Sequence, residues 1–205
     1  MKMRMALLII VGMVLFLFTA CLNLGTSTST RFYLLESSSD EALQSAFENK
    51  MPDVSIGVGP VTLAPYLDRQ QLVSRLSGNE LRVHEFSQWA EPLKATIARV
   101  VEENLSALTG AKHIHSFPKR RSAVIDYQIS LDVLRFDADA SGSVTLQAVW
   151  HIAKPDGHQR LIERRSVIVQ PSSSTESTDV VDAMSMALAE LSKEITRALV
   201  IVAQQ

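Results

Sequence analysis

The sequence predicts an α+β domain in which two main helices pack on one face of a largely antiparallel sheet. Several segments alternate apolar and polar residues, which is typical of half-buried strands. Two longer segments have the periodicity of amphipathic helices, and short polar turns separate neighbouring strands. The 205 residues are 46% hydrophobic and 20% charged, which suits a globular chain with one core. The predicted order is four strands, a helix, three strands and a final helix.

The N-terminus has the layout of an export signal. Lys2 and Arg4 precede an apolar run from Ala6 to Phe18. This run of about 13 residues is shorter than the roughly 17–25 residues that a membrane-spanning helix needs. Two small residues and then Cys21, the only cysteine, follow it as in a lipobox. We therefore predict cleavage after residue 20 and lipidation of Cys21; the alternative is a conventional signal peptide cleaved elsewhere.

A lipid on Cys21 would anchor the chain without a membrane-spanning segment. Each buried methylene contributes about 0.8 kcal/mol, so two or more acyl chains, such as palmitate, hold a protein stably. Leu22, rather than Asp, follows the cysteine, which favours the outer membrane of a Gram-negative bacterium, on its periplasmic side. We expect three parts: a lipoprotein signal peptide over residues 1–20, a polar acylated tether over 21–30, and a single periplasmic domain over 31–205.

The first half of the domain contains four predicted strands. Residues 31–35 are a short aromatic and aliphatic run, and residues 54–63 continue as an extended segment through a Gly-Pro pair. Residues 72–76 and 81–86 flank Gly78-Asn79, which can supply the positive φ of a tight turn. Residues 41–52 are ambiguous and could include one or two helical turns.

A helix is predicted over residues 89–108, where apolar residues recur at spacings of one, three and four. Pro92 is tolerated only in its first turn, and Gly110 stands where a left-handed C-terminal cap is expected. This interpretation makes Trp89 a core anchor at the start of the helix. The segment that follows, with His113 and His115, is predicted to be a loop.

The second half of the domain is predicted to be an antiparallel meander followed by a helix. Residues 124–136, 144–152 and 160–169 alternate apolar and polar side chains, with turns at 137–142 and 154–157. A Ser/Thr-rich loop precedes the last helix, which Ser177 or Thr178 could cap.

The sequence offers no catalytic or metal-binding constellation. His113 and His115 lie two residues apart without a further ligand nearby, and His84 and His151 are expected on solvent-facing strand positions. Nucleophile elbows and phosphate-binding glycine loops are missing from the sequence. We therefore assign no catalytic residue, cofactor or metal. The net charge of −2 argues against nucleic acid, and the basic run at residues 119–121 is read as a solvated loop or a contact with anionic lipid.

Two motifs give the chain a family resemblance. Residues 56–69 read IGVGPVTLAPYLDR, and residues 81–93 read LRVHEFSQWAEPL and run directly into the predicted helix. Both resemble the PqiC/YmbA family of ABC-type transport auxiliary lipoproteins. The FYLL segment at residues 32–35 and the lipobox extend the resemblance to most of the mature chain.

The resemblance implies a non-enzymatic docking or structural component of an MCE-type lipid transport system between the inner and outer membranes. Its implied partner is an MCE-domain protein, and a homo-oligomer such as a ring is a further implication. The alternative function is a periplasmic lipid-binding shuttle with an apolar cavity between sheet and helices. The implied signature positions, for which plain structural packing is the competing interpretation, are Pro65, Tyr66, Leu67, Asp68, Arg69, Trp89, Ala90, Glu91 and Pro92.

Overall fold

The computed structural model of the protein describes residues 28–38, 50–117, 124–155 and 159–204. The predicted signal peptide, Cys21, most of the tether, most of the ambiguous segment at 41–52 and the basic run at 119–121 lie outside these residues. The helices and strands of the described residues are β1 (Arg31–Tyr33), β2 (Ser55–Leu63), β3 (Gln71–Ser77), β4 (Glu80–Trp89), α1 (Leu93–Thr109), β5 (His113–Ser116), β6 (Tyr127–Ala138), β7 (Val144–Ala153), β8 (Arg160–Gln170) and α2 (Ser177–Ala203).

The strands form one mixed sheet, so the prediction of a largely antiparallel sheet is wrong in this respect. The β6–β7–β8 meander and the β3–β4 hairpin are antiparallel, as predicted. However, β1 pairs with β4, and β2 pairs with both β5 and β6, in parallel. Parallel pairing needs a long connection, and α1 lies in the chain between β2 and its partners β5 and β6. Alternation within a strand does not reveal this pairing.

Strand β6 joins the two halves of the sheet. Its first part pairs with β2, and its end reaches the β3–β4 hairpin where Ala138 pairs with Ser74. Its other edge pairs with β7 along most of its length. The loop that leaves β2 at Leu63 therefore lies beside the end of β6 and the hairpin.

The two helices pack against each other and against the sheet. Asn104 of α1, fully buried, donates a hydrogen bond from Nδ2 to Ser192 Oγ of α2 at 3.4 Å. Gly110 ends α1 at a φ of 69°, and its N–H bonds to Ser106 O, which confirms the predicted left-handed cap. Fully buried side chains on β6 and β7, including Leu131 and Trp150, form the core with the helices.

The starts of both helices differ from the sequence prediction. Trp89 is the last residue of β4, and α1 begins at Leu93 with Pro92 as its N-cap. Pairing of Trp89 with Tyr33 of β1 outweighs its helical spacing from Leu93. The N-cap of α2 is Glu176, which makes no side-chain cap. Neither Ser177 nor Thr178 is the cap.

Two further predictions are corrected near β5 and β6. His113 and His115 lie in strand β5, paired with β2, rather than in a loop. Strand β6 continues to Ala138, beyond its predicted end at residue 136. The turn that follows is held by Asp139, whose Oδ1 accepts the N–H groups of Ser141 at 2.8 Å and Ser143 at 3.0 Å.

Candidate functional site

The two signature segments, residues 65–69 and 89–92, meet at one surface groove although some twenty residues separate them in the sequence. One wall comes from the loop between β2 and β3, and the other from the end of β4 and the start of α1. The groove has a volume of about 290 Å³. We call it the signature groove; its lining residues are Asp68, Arg69, Gln70, Trp89, Ala90, Glu91, Pro92 and Leu93.

Burial separates the structural members of the signature from the exposed ones. Leu67 is 3% exposed and Trp89 is 6% exposed, and both pack in the main core. Asp68, Arg69 and Glu91 are exposed at the groove. The packing interpretation therefore applies to the two apolar residues, whereas the three charged side chains are available to another molecule.

Main-chain hydrogen bonds hold the two walls together. Trp89 N donates to Gln70 O at 2.7 Å, and Ala90 N donates to Tyr33 O at 2.9 Å. At the beginning of the loop, Ala64 N donates to Val133 O of β6 at 2.8 Å. These bonds connect the groove to β1 and β6, so its shape is largely fixed before anything binds.

A buried carboxylate holds the loop between β2 and β3, which we call the signature loop, from beneath. Tyr66 Oη donates a 2.7 Å hydrogen bond to Oδ2 of Asp137, which is 0% exposed. Arg75 Nη2 lies 3.1 Å from the same oxygen, and Arg135 Nε lies 2.8 Å from Oδ1. We call Tyr66, Arg75, Arg135 and Asp137 the loop cluster. Two cations and a hydroxyl compensate the buried negative charge.

The electrostatics of the loop cluster favour one protonation state. Burial, and then the hydrogen bond to Asp137, raise the pKa of Tyr66 to about 12. The Asp137 carboxylate also raises the pKa of Arg75. Tyr66 is therefore a neutral donor and Arg75 a cation at physiological pH.

The loop cluster was missed in the sequence because residue 137 was assigned to a turn. Asp137 alternates with the inward-facing Phe136 and Ala138, so its side chain points to the other face of β6. A charged residue between two apolar ones at a strand end was the available signal. Its partners Tyr66 and Arg75 are 71 and 62 residues away, which the sequence does not indicate.

A histidine outside the loop cluster also has a shifted pKa. His84 was expected to face solvent, but it is half-buried and its Nε2 lies 2.8 Å from Ser74 Oγ. Burial, and then the charge of Arg82, lower the pKa of His84. Within residues 28–38, 50–117, 124–155 and 159–204, the acidic, histidine and cysteine side chains form no group of three that could hold a metal ion.

Neither α1 nor α2 combines the length and the apolar character needed to cross a bilayer.

The fold occurs in solved structures of other proteins. A protein from Xanthomonas campestris superimposes with a TM-score of 0.69 and 19% identity, over 85% of this chain and 98% of that one. An uncharacterised protein gives a TM-score of 0.68 and 18% identity, over 84% of this chain and 99% of the other. At these identities the likeness extends to the fold alone. No curated protein sequence matches the chain significantly.

The sequence also matches a family model over most of its length. The matched residues, 33–196, include both signature segments, the loop cluster and both helices up to the last turns of α2. The resemblance drawn from the two motifs is thereby confirmed. The chain belongs to the family described as the ABC-type transport auxiliary lipoprotein component.

Proposed function

We propose that this protein is a lipid-anchored, non-enzymatic docking subunit of an MCE-type lipid transport system. Lipid on Cys21 would hold it at the outer membrane, with its domain in the periplasm. Membership of a family of transport auxiliary lipoproteins supports the general role. The signature groove would receive an MCE-domain protein, and the co-location of the two signature segments is the observation on which this docking role depends.

The chemistry of the signature groove suits a protein partner. Exposed Asp68, Arg69 and Glu91 surround a base formed by the buried Trp89 and Leu93. Protein interfaces commonly combine a polar rim with an apolar, aromatic centre. The rim charges have both signs, so they would select the orientation of the partner more than its affinity. The expected partner segment carries an apolar side chain flanked by complementary charges.

The alternative role, a phospholipid shuttle, needs a cavity that encloses two acyl chains. The cavity between the β3–β4 hairpin and α2 has a volume of about 340 Å³. Ligand cavities range from about 300 to 1,000 Å³, so this one is near the lower limit. This volume favours docking over the transport of whole phospholipids inside the domain.

Co-purification with an MCE-domain protein from the same cells tests the docking role. The test variant combines Asp68→Ala, Arg69→Ala and Glu91→Ala, which removes the rim charges and keeps Leu67 and Trp89. The control combines Asp53→Ala and Lys112→Ala, an exposed pair 3.8 Å apart. Asp53 lies just before β2, and the signature loop lies just after it. The nine residues of β2, at about 3.3 Å per residue, place the control pair roughly 26 Å from the loop.

We expect the rim variant to retain less than a fifth of the MCE-domain protein that the wild type retains, and the control to retain most of it. Circular dichroism would verify that both variants fold. Equal recovery by the rim variant and the wild type, or equal loss in both variants, would contradict docking at this groove.

A further inference from the structure

A second concave site lies next to the signature groove and is separate from its rim. It is enclosed by the inner face of the β3–β4 hairpin, the end of β6 and the first turns of α2. Its volume is about 340 Å³. Ser87 Oγ of β4 and Ser177 Oγ of α2, 2.9 Å apart, connect the hairpin to the helix. We call this site the hairpin cavity.

The floor of the hairpin cavity is apolar and fully inside the domain. Its buried lining side chains come from five different elements and the signature loop, and none of them carries a formal charge. An aliphatic or aromatic group can pack against such a surface, whereas a charged group buried there would find no partner. These residues are Leu67, Leu72, Trp89, Leu93, Phe136, Ala138 and Met184.

The mouth of the hairpin cavity is polar and carries a cation. Arg82 is exposed there, and pairs in register with Ser74 across the hairpin. Among the described residues Arg82 has no carboxylate within ion-pair distance. Next to it, His84 shares a hydrogen bond with Ser74. The opening therefore carries a polar Ser74–His84 pair beside the positive charge of Arg82.

The acidic residue at the same mouth is occupied elsewhere. Asp139 lines the opening from the turn after β6, and its Oδ1 accepts three hydrogen bonds from Ser141 and Ser143. These bonds lower the pKa of Asp139 and engage its charge within its own turn. Strand β3 lies between the two residues: its Ser74 pairs with Arg82 of β4 on one side and with Ala138 of β6, the neighbour of Asp139, on the other. Two strand spacings, about 10 Å, thus separate the Asp139 and Arg82 backbones.

We propose that the hairpin cavity binds a single-chain amphiphile, with its acyl chain against the buried apolar floor and its anionic head at Arg82. The volume suits one chain and not the two of a phospholipid. Charge complementarity at the mouth selects an anion. A fatty acid and a lysophospholipid share this chemistry, one through a carboxylate and the other through a phosphate. The site does not depend on the docking role.

Photolabelling of the full-length protein in phospholipid nanodiscs tests the proposal. The probes are a 16-carbon fatty acid, a lysophosphatidylethanolamine and an uncharged 16-carbon alcohol, each with a diazirine near the end of the chain. Labelled peptides are mapped by mass spectrometry. We expect both anionic probes to label the peptides of Phe136 and Met184, and the more efficient probe identifies the head group.

Two substitutions on the hairpin separate cavity binding from surface labelling. Leu76→Trp fills the cavity, which Leu76 lines, whereas Val83→Trp adds the same side chain at an exposed position outside it. We expect labelling at Met184 to fall at least fivefold with Leu76→Trp and to stay within twofold with Val83→Trp. Equal labelling of both variants would overturn the proposal.

Arg82→Gln keeps the exposed position polar and removes only its charge, so it tests the head group even if Leu76→Trp fails to fold. We expect at least a threefold loss for the anionic probes and no loss for the alcohol. Equal loss for all three probes, or no labelling of the cavity peptides in the wild type, would overturn the assignment.

Discussion

Tyr66 connects the signature loop to the sheet through one hydroxyl group. Its hydrogen bond to Asp137 joins a partly exposed loop to a carboxylate with no exposed surface. Arg75 and Arg135 compensate the charge of that carboxylate. The hydroxyl of Tyr66 is the group by which the loop itself is attached to it. The position of Leu67 in the core, one residue later, follows from the same attachment.

Tyr66→Phe should lower the free energy of unfolding by about 1.5–3 kcal/mol, since hydrogen bonds to charged groups contribute in that range. Urea denaturation at pH 7 measures the change. Tyr33→Phe is the matched control, because Tyr33 is partly buried on the same core. A loss no larger than that of the control would show that the hydroxyl does not secure the loop.

The same substitution has a pH signature. The folded protein holds the pKa of Tyr66 at about 12, above its ordinary value of 10.0. The stabilisation is therefore complete below pH 10 and is lost as the pH rises towards 12. The difference in melting temperature between the wild type and Tyr66→Phe should be constant from pH 7 to 9 and shrink between pH 10 and 12. A constant difference up to pH 12 would disprove this origin.

Among the elements, the turn between β6 and β7 depends on a glycine. Gly142 has a φ of 88°, and a Cβ atom there would lie 2.6 Å from Ser174 O, a main-chain atom before α2. Gly78, in the β3–β4 turn, also has a positive φ of 42° but has open space around it. A substitution at Gly78 therefore introduces backbone strain alone, whereas one at Gly142 introduces both backbone strain and a close contact.

Gly142→Ala should destabilise the protein by more than Gly78→Ala. Backbone strain alone costs about 1–2 kcal/mol, and at Gly142 the segment before α2 must also move. Urea denaturation of both variants measures the difference, and we expect at least 1 kcal/mol more for Gly142→Ala. Equal losses would mean that the Ser174 segment yields without cost.

The elements that the sequence predicted well are those with long local patterns. The apolar spacing of α1 and the alternation of β6, β7 and β8 each extend over ten residues or more. Strand β5 has only four residues and alternates histidine with isoleucine and serine, so its identity comes from pairing with β2. Trp89 fits a helical spacing, and only its β1 partner makes it a strand residue.

At the scale of the whole molecule, the sequence likewise predicts the contiguous parts of the candidate site and does not predict contacts between distant residues. The motifs identified both walls of the signature groove, because each wall is a contiguous segment. The mixed pairing of the sheet and the loop cluster arise from contacts between residues about 60 to 70 positions apart. Such contacts are set by the complete fold and leave no periodic trace in either partner.

The predicted lipid anchor concerns the whole molecule as well. Cys21→Ser should remove it and release the protein from membranes, because each buried methylene of the acyl chains contributes about 0.8 kcal/mol to membrane binding. Fractionation followed by a carbonate wash measures the release, with the wild type as the control that stays in the membrane pellet. Continued sedimentation of the variant with the washed membranes would refute anchoring at Cys21.

The pairing of β1 with β4 has a mechanical consequence. The predicted tether would lead into β1, whose three residues run parallel to the end of β4, with Ala90 N bonded to Tyr33 O just beyond. A pull directed along the axis of β1 would shear these hydrogen bonds together and would not open them one by one. If Cys21 carries the predicted lipid, the domain would thus resist tension from that anchor at a point directly beside the signature groove.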